Sequence, residues 1–206
     1  ILLGLESSMC FFSGFPAYDA IEGLPLTDKL AVMRTPQFRA RILGEHQAEA
    51  QSPVARRIRS ANRIFPLTDP PQYEPREQDS LAGIAACTGR AVVEVALDHL
   101  LAGDGKNQLF AVLNNYSSGN LETCRQMIAS PLTLQGLGDG GAHVSFICDA
   151  SFPTYLLAHW GRDRAEGRFP LEYLVRRLTS DCSRYLGLND RGEIKPGWRA
   201  DINLID

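Results

Sequence analysis

Residues 132–143 read LTLQGLGDGGAH: apolar and polar positions alternate, then one carboxylate, Asp139, stands among four glycines, with His143 four positions further on. The opening half, Leu132 to Leu137, has the length and composition of a sheet strand. The glycines let backbone and ligand approach closely, so an acid at the C-terminal end of such a strand is presented where α/β proteins bind their ligands. Gly136, Gly138 and Gly141 spell a literal G-x-G-x-x-G, the pattern of a dinucleotide-binding turn. Asp139 opposes that reading, because it sets a full negative charge among the amides that would receive a pyrophosphate. Position alone leaves two roles open. Asp139 either shapes a tight turn or acts as a functional carboxylate that takes a proton from water or binds a divalent metal.

The flanking sequence supplies an α/β frame. Leu109–Leu113 (LFAVL) is a continuous apolar run of strand length. Residues 90–102 predict a helix with Val93, Leu97, Leu100 and Leu101 on one face, Glu94 and Asp98 on the other, and Gly103 as its stop. Thr35 is placed to cap a helix that begins at Pro36 and turns Phe38, Ile42 and Leu43 inward. Ile64–Phe65 forms a short strand bounded by Pro66, and the proline-rich LTDPPQYEP that follows is loop. Ser80 or Asp79 caps a helix that Gly89 ends. Asn120 caps another, with Leu121, Cys124 and Ile128 inward. Further helices are predicted near 154–160, 170–178 and 182–186, the last capped by Ser180. Ile1–Leu5 reads as an interrupted strand, and 202–206 as a strand whose partner lies elsewhere; together they suggest a fragment. The order of elements implies α/β with a mostly parallel sheet. About four inner strands are legible, against the eight of a closed (β/α)8 barrel.

Composition narrows the function. At 206 residues the chain can bury roughly 70% of the surface its unfolded form exposes, and 44% hydrophobic with 22% charged residues is a globular profile. A net charge of -3 disfavours a nucleic-acid or anionic-membrane surface. The cluster Arg56, Arg57, Arg59 and Arg63 has no interleaved aromatics and reads as a solvated helix face. No run approaches the ~20 apolar residues of a membrane span. Five cysteines, widely spaced and without CxxC, point to a reducing, cytoplasmic compartment rather than a disulfide framework.

The stretch LGDGGAHVSFICDASFPTYLLAHW and the tail LTSDCSRYLGLNDRGEIKPGWRADINLID resemble the amidohydrolase superfamily, in particular its D-aminoacylase-like group of N-acyl-D-amino-acid deacylases. GLESSMCFFSGFPAYDAIEGLPL, RIFPLTDPPQYEP and NNYSSGN are similar to the same group, so the resemblance spans nearly the whole chain. It implies the C-terminal portion of a (β/α)8 TIM barrel with a strand of the accompanying small β-sandwich. Residues 1–190 would be the partial barrel, with a helical insertion around 20–60, and 191–206 the start of the return to the sandwich.

The resemblance also implies that Asp139 is the superfamily's essential aspartate, general base or acid toward the hydrolytic water and often a metal ligand. It implies one or two metal ions, usually zinc, held through an HxH pair, a bridging residue and two later histidines. The chain's four histidines, His46, His99, His143 and His159, form no HxH, HxxxH or HExxH. The chain is therefore expected to be inactive alone, as the later part of an enzyme acting on a small N-acyl amino acid. A non-catalytic, self-associating α/β module is the alternative, and homo-oligomerisation stays open under either reading.

His143 is a candidate to orient Asp139 or contact substrate. Asn114, Asn115 and Tyr116 follow a strand and are candidates for binding substrate. His159 and Trp160 read as packing residues, and His99 and His46 as structural. Asp149 and Ser151 read chiefly as helix caps. Arg162 and Arg164 read as solvated charges at a helix end, and Phe15 stands where the family often has histidine.

Overall fold

The structure, a computed structural model, describes residues 1–45, 59–136 and 149–205. They form two compact units, one of residues 1–121 and one of 122–136 with 149–205.

In the first unit three short strands, β1 (Leu2–Leu3), β2 (Ile64–Pro66) and β3 (Leu109–Ala111), form a sheet with β3 in the centre. Leu2 faces Phe110 across one ladder and Phe65 faces Phe110 across the other. Both pairings are antiparallel, where a mostly parallel sheet was expected. The connection explains the difference. Between β2 and β3 the chain makes two helices, α4 (Leu81–Thr88) and α5 (Val92–Leu101), that pack on each other. A single helical crossover returns a chain parallel to its start, whereas a helical hairpin reverses it. Pro66 lies on the outer strand β2, where a missing amide leaves no central ladder bond unmade.

Local signals place the helices. The Thr35 hydroxyl accepts the Phe38 amide at 3.2 Å, and Pro36 opens α3 (Pro36–Gly44), which follows α1 (Pro16–Asp19) and α2 (Leu26–Met33). Phe38 and Ile42 are buried as expected, but Leu43 points outward. Ser80 holds the start of α4 twice, donating to the Glu77 carbonyl at 2.6 Å and accepting the Gly83 amide at 3.0 Å. Gly89 ends that helix with φ 67°, a left-handed conformation open to glycine. Arg34 donates to the carbonyls of Leu101 and Gly103, covering acceptors that the end of α5 leaves unpaired. Leu97 and Leu100 of α5 meet Leu3, Ile42, Ile64, Leu81 and Leu109 in one buried cluster. Each fully buried leucine contributes about 1.5–3 kcal/mol.

The outer face of α5 is charged, and Arg39 on α3 spans it, pairing with Glu94 at 2.7 Å and Asp98 at 2.6 Å, while Arg90 pairs with Asp98 and Glu94. Hydrogen bonding from Arg39, reinforced by Arg90, holds both carboxyls below their usual range. Carboxylates with lowered pKa stabilise the fold above the unfolded value, and that contribution is lost as pH falls through the lowered one. Arg39→Met is therefore expected to lower the urea midpoint at neutral pH, with the gap from the parent narrowing below about pH 4. Urea titrations at several pH values check this.

The second unit holds α6 (Glu122–Ala129), α7 (Phe152–Ala158), α8 (Leu171–Leu178) and α9 (Ser180–Tyr185). Asn120 stands two residues before α6, and Ser180 is the first residue of α9 rather than its cap. Ser151 occupies the cap position of α7 without a capping side-chain bond. The α7 helix runs into a π-helical turn, His159–Asp163.

No strand forms over the described part of the expected 132–137 segment. Its polar groups instead close the end of α6. The Thr133 hydroxyl donates to the Met127 carbonyl at 2.5 Å, and buried Arg177 donates to the Ser130 carbonyl and to the hydroxyl and carbonyl of Thr133. Leu132 is left 94% exposed. Residues 200–205 likewise form no strand, and Leu204 is fully exposed. Alternating apolar residues make a strand only where another strand takes their amides and carbonyls.

Candidate functional site

Because β2 and β3 run antiparallel, the residues entering β2 lie beside those leaving β3. Arg63 and Val112 extend the ladder, the Val112 amide donating to the Arg63 carbonyl at 2.9 Å. Tyr116 then turns inward onto Phe65 and Val112, with Leu121 packed against the group. Its hydroxyl donates to the Pro75 carbonyl at 2.7 Å. Burial, helped by the nearby Glu74 charge, pushes the phenol up to about 12. Glu74 accepts the Leu121 amide at 2.8 Å, so the YEP loop and the NNYSSGN loop are fastened at two points. Asn115 adopts φ 58°, a conformation that asparagine tolerates better than most side chains.

A cavity of about 140 Å³ opens here, walled by Asn62, Arg63, Phe65, Val112, Tyr116 and Ser117. The Arg63 Nε donates to the Val112 carbonyl at 3.2 Å. Its Nη2 is shut off from solvent and has no hydrogen-bond partner among the described residues. Arg63 is thus a half-buried wall residue and not part of a solvated helix face. The sequence signal was its place directly before the apolar pair Ile64–Phe65, where a side chain is drawn toward the sheet. Arg56 and Arg57 lie outside the described residues.

Of the candidates for binding substrate, Tyr116 lines the cavity, while Asn114 and Asn115 are exposed on the loop beside it. The Tyr116 phenol is committed to Pro75, which makes it a fastener of the wall. Tyr116→Phe leaves the Pro75 carbonyl without its donor and is expected to cost about 1–3 kcal/mol. Chemical denaturation compared with the parent measures it.

Asp139 and His143, with His46 and Cys148, lie outside the described residues. His99 has its Nε2 at 2.8 Å from the Gln108 carbonyl, and buried His159 stacks on Tyr155 with ring centres 5.2 Å apart and meets Trp160 edge to face. Both are packing residues, as the sequence suggested. Arg162 pairs with Asp163 at the surface. Arg164 departs from the solvated reading: it lies 4.7 Å over the Trp160 ring, close to Glu122. Phe15 is buried at the start of α1. Among the described residues no three histidine, cysteine or acidic side chains come together as a metal site. No helix among them is long and apolar enough to cross a membrane.

Neither the curated proteins nor the solved structures contain a match to this chain. A family model described as "Amidohydrolase family" matches residues 5–206, nearly the full length and including both the Asp139 block and the loops around the Arg63 cavity. The chain belongs to the amidohydrolase family.

Proposed function

We propose that the protein is an amidohydrolase of the D-aminoacylase-like group, cleaving the non-peptide amide C–N bond of N-acyl-D-amino acids with Asp139 as the proton-transferring carboxylate. The observation that carries this reading is the family match across 5–206, which contains the DGGAH block. In the reaction a water oxygen adds to the acyl carbon and Asp139 takes the proton. The C–N bond then breaks, the same proton passes to the departing amine, and a carboxylic acid and a free amino acid remain. His143 is placed by sequence to orient Asp139 or meet the substrate, and Asn114, Asn115 and Tyr116 would shape the approach from the neighbouring loop.

Metal dependence belongs to the proposal, with one or two zinc ions in the complete enzyme. Such an ion supplies Lewis acidity to the reacting carbonyl or water. Asp139 is the ligand this chain would contribute. In the same reading the chain is the later part of a (β/α)8 enzyme, with 1–190 belonging to the barrel and 191–206 returning to a β-sandwich. A cytoplasmic, reducing setting and a small-molecule substrate go with it, and no disulfide occurs among the described cysteines. The test is amine release from matched N-acetyl-D- and N-acetyl-L-amino acids by the complete enzyme. The D series should be hydrolysed and the L series spared. Hydrolysis of neither, with zinc bound, would remove the assignment.

A further inference from the structure

We propose that Arg177 is a positioning residue for the hydrolysis, fixing the course of the chain from Ser130 to Gln135, four positions ahead of Asp139. The inference rests on Asp139 being the proton-transferring carboxylate. Burial does not hold this stretch, since Leu132 is 94% and Leu134 36% exposed. No strand among the described residues takes its backbone groups either.

Side chains of α8 and α9 hold it instead. The Tyr173 hydroxyl donates to the Ile128 carbonyl at 2.9 Å. Arg177 Nη2 donates to the carbonyls of Ser130, at 3.3 Å, and of Thr133, and to the Thr133 hydroxyl at 3.0 Å. Cys182 Sγ lies 3.6 Å from the Gln135 carbonyl oxygen. The partners are 44 to 47 positions apart in every case, so the two segments run alongside each other in the same direction. The contacts advance in step along the sequence toward Asp139.

Arg177 is the main holder of the three. A thiol is a weak donor, and Tyr173 fastens the last turn of α6 before the stretch begins. The Arg177 side chain is 4% exposed, and its Nη1 donates to the Asp181 carboxylate at 3.3 Å, one helical turn on. Asp181 also faces Arg176 at 3.5 Å and Arg184 at 3.7 Å, so it stays paired when Arg177 is replaced. Burying an arginine is costly, and an apolar side chain of similar size would fill the space without that cost. What the guanidinium adds is direction, because its planar fork grips separate acceptors in a fixed geometry. Proton transfer needs such geometry: a displacement of about 1 Å costs on the order of 100-fold in rate.

The test compares the parent with Arg177→Met, Arg177→Lys and Tyr173→Phe, each supplied with zinc, in steady-state hydrolysis of an N-acetyl-D-amino acid and in amide exchange. Arg177→Met should lower kcat about 10- to 100-fold while KM stays within about 3-fold of the parent. It should also speed exchange of the Leu132 to Gly136 amides. Arg177→Lys keeps the charge beside Asp181 but not the fork, and should recover part of both losses. Tyr173→Phe releases only Ile128 and should keep the parental kcat. Parental kcat in folded Arg177→Met, or a loss carried by KM alone, overturns the proposal. An equal fall in kcat in Tyr173→Phe also overturns it, since both residues would then be general supports. Should Arg177→Met not fold, Arg177→Lys decides, and parental kcat there overturns the proposal. A parent that hydrolyses no better than its Arg177 variants refutes the positioning role alone. A parent that does not hydrolyse refutes the reading of Asp139, and the positioning role falls with it.

Discussion

Exchanging Asp139 for asparagine in the enzyme is expected to lower kcat by about 10²- to 10⁴-fold, the usual contribution of a positioned acid–base group. Asparagine keeps the size and much of the hydrogen bonding of aspartate but cannot accept the proton of an attacking water or return it to the amine. An interaction used in proton transfer rather than in holding substrate should leave KM little altered, with kcat and kcat/KM falling together. The acid limb of the pH–rate profile should also disappear, because the titrating group has gone. A variant that kept the parental rate and profile would reduce Asp139 to a turn-forming residue, the other role its glycine-rich surroundings allow.

Trp160→Ala is expected to destabilise the chain by about 3–5 kcal/mol, a large part of the ~5–15 kcal/mol that holds a typical domain folded. Trp160 is 1% exposed and supports several neighbours at once. Its ring carries the Arg164 guanidinium at 4.7 Å, touches the His159 ring edge to face at 5.3 Å and lies 6.2 Å from Phe169. Its backbone carbonyl accepts the Phe169 amide. Alanine leaves a cavity beneath the π-helical turn and removes the platform under Arg164 together. Trp160→Phe keeps an apolar ring and should recover much of the loss. Urea denaturation of the three proteins, with amide exchange along 152–178, reads both effects. An unfolding midpoint in Trp160→Ala equal to that of the parent would show that the turn is held by other contacts.

The features that sequence predicted well are those governed by short-range chemistry. Thr35 ahead of Pro36, Ser80 ahead of α4 and Gly89 behind it act through bonds to residues three or four positions away, so a local reading finds them. Ile64–Phe65 and Leu109–Ala111 are strands for a similar reason: short apolar runs with turn residues close by. The direction in which those strands pair is not local. It depends on how the two intervening helices, both legible in the sequence, pack as a hairpin between β2 and β3, and the pairing is antiparallel.

Residues 132–136 mislead for a related reason, since their alternation is real but Thr133 and Arg177 commit the segment to the end of α6. Arg63 was grouped with Arg56, Arg57 and Arg59 by composition, while its structural role follows from Val112, far along the chain, approaching it through β3. Tyr116 was selected as a residue after a strand. That position is right, yet its hydroxyl is taken by Pro75, a contact that no spacing rule contains. Asp139 stands out through its glycine-rich motif, which the family match across 5–206 contains.

The most direct measurement is hydrolysis of an N-acetyl-D-amino acid in oxygen-18-labelled water by the enzyme, with Asp139→Asn run beside it and the products weighed by mass spectrometry. The expected products are free D-amino acid and acetate carrying one labelled oxygen, with loss of both in the variant. Labelled acetate formed equally by the variant, or no cleavage by the zinc-loaded parent, would contradict the proposed function.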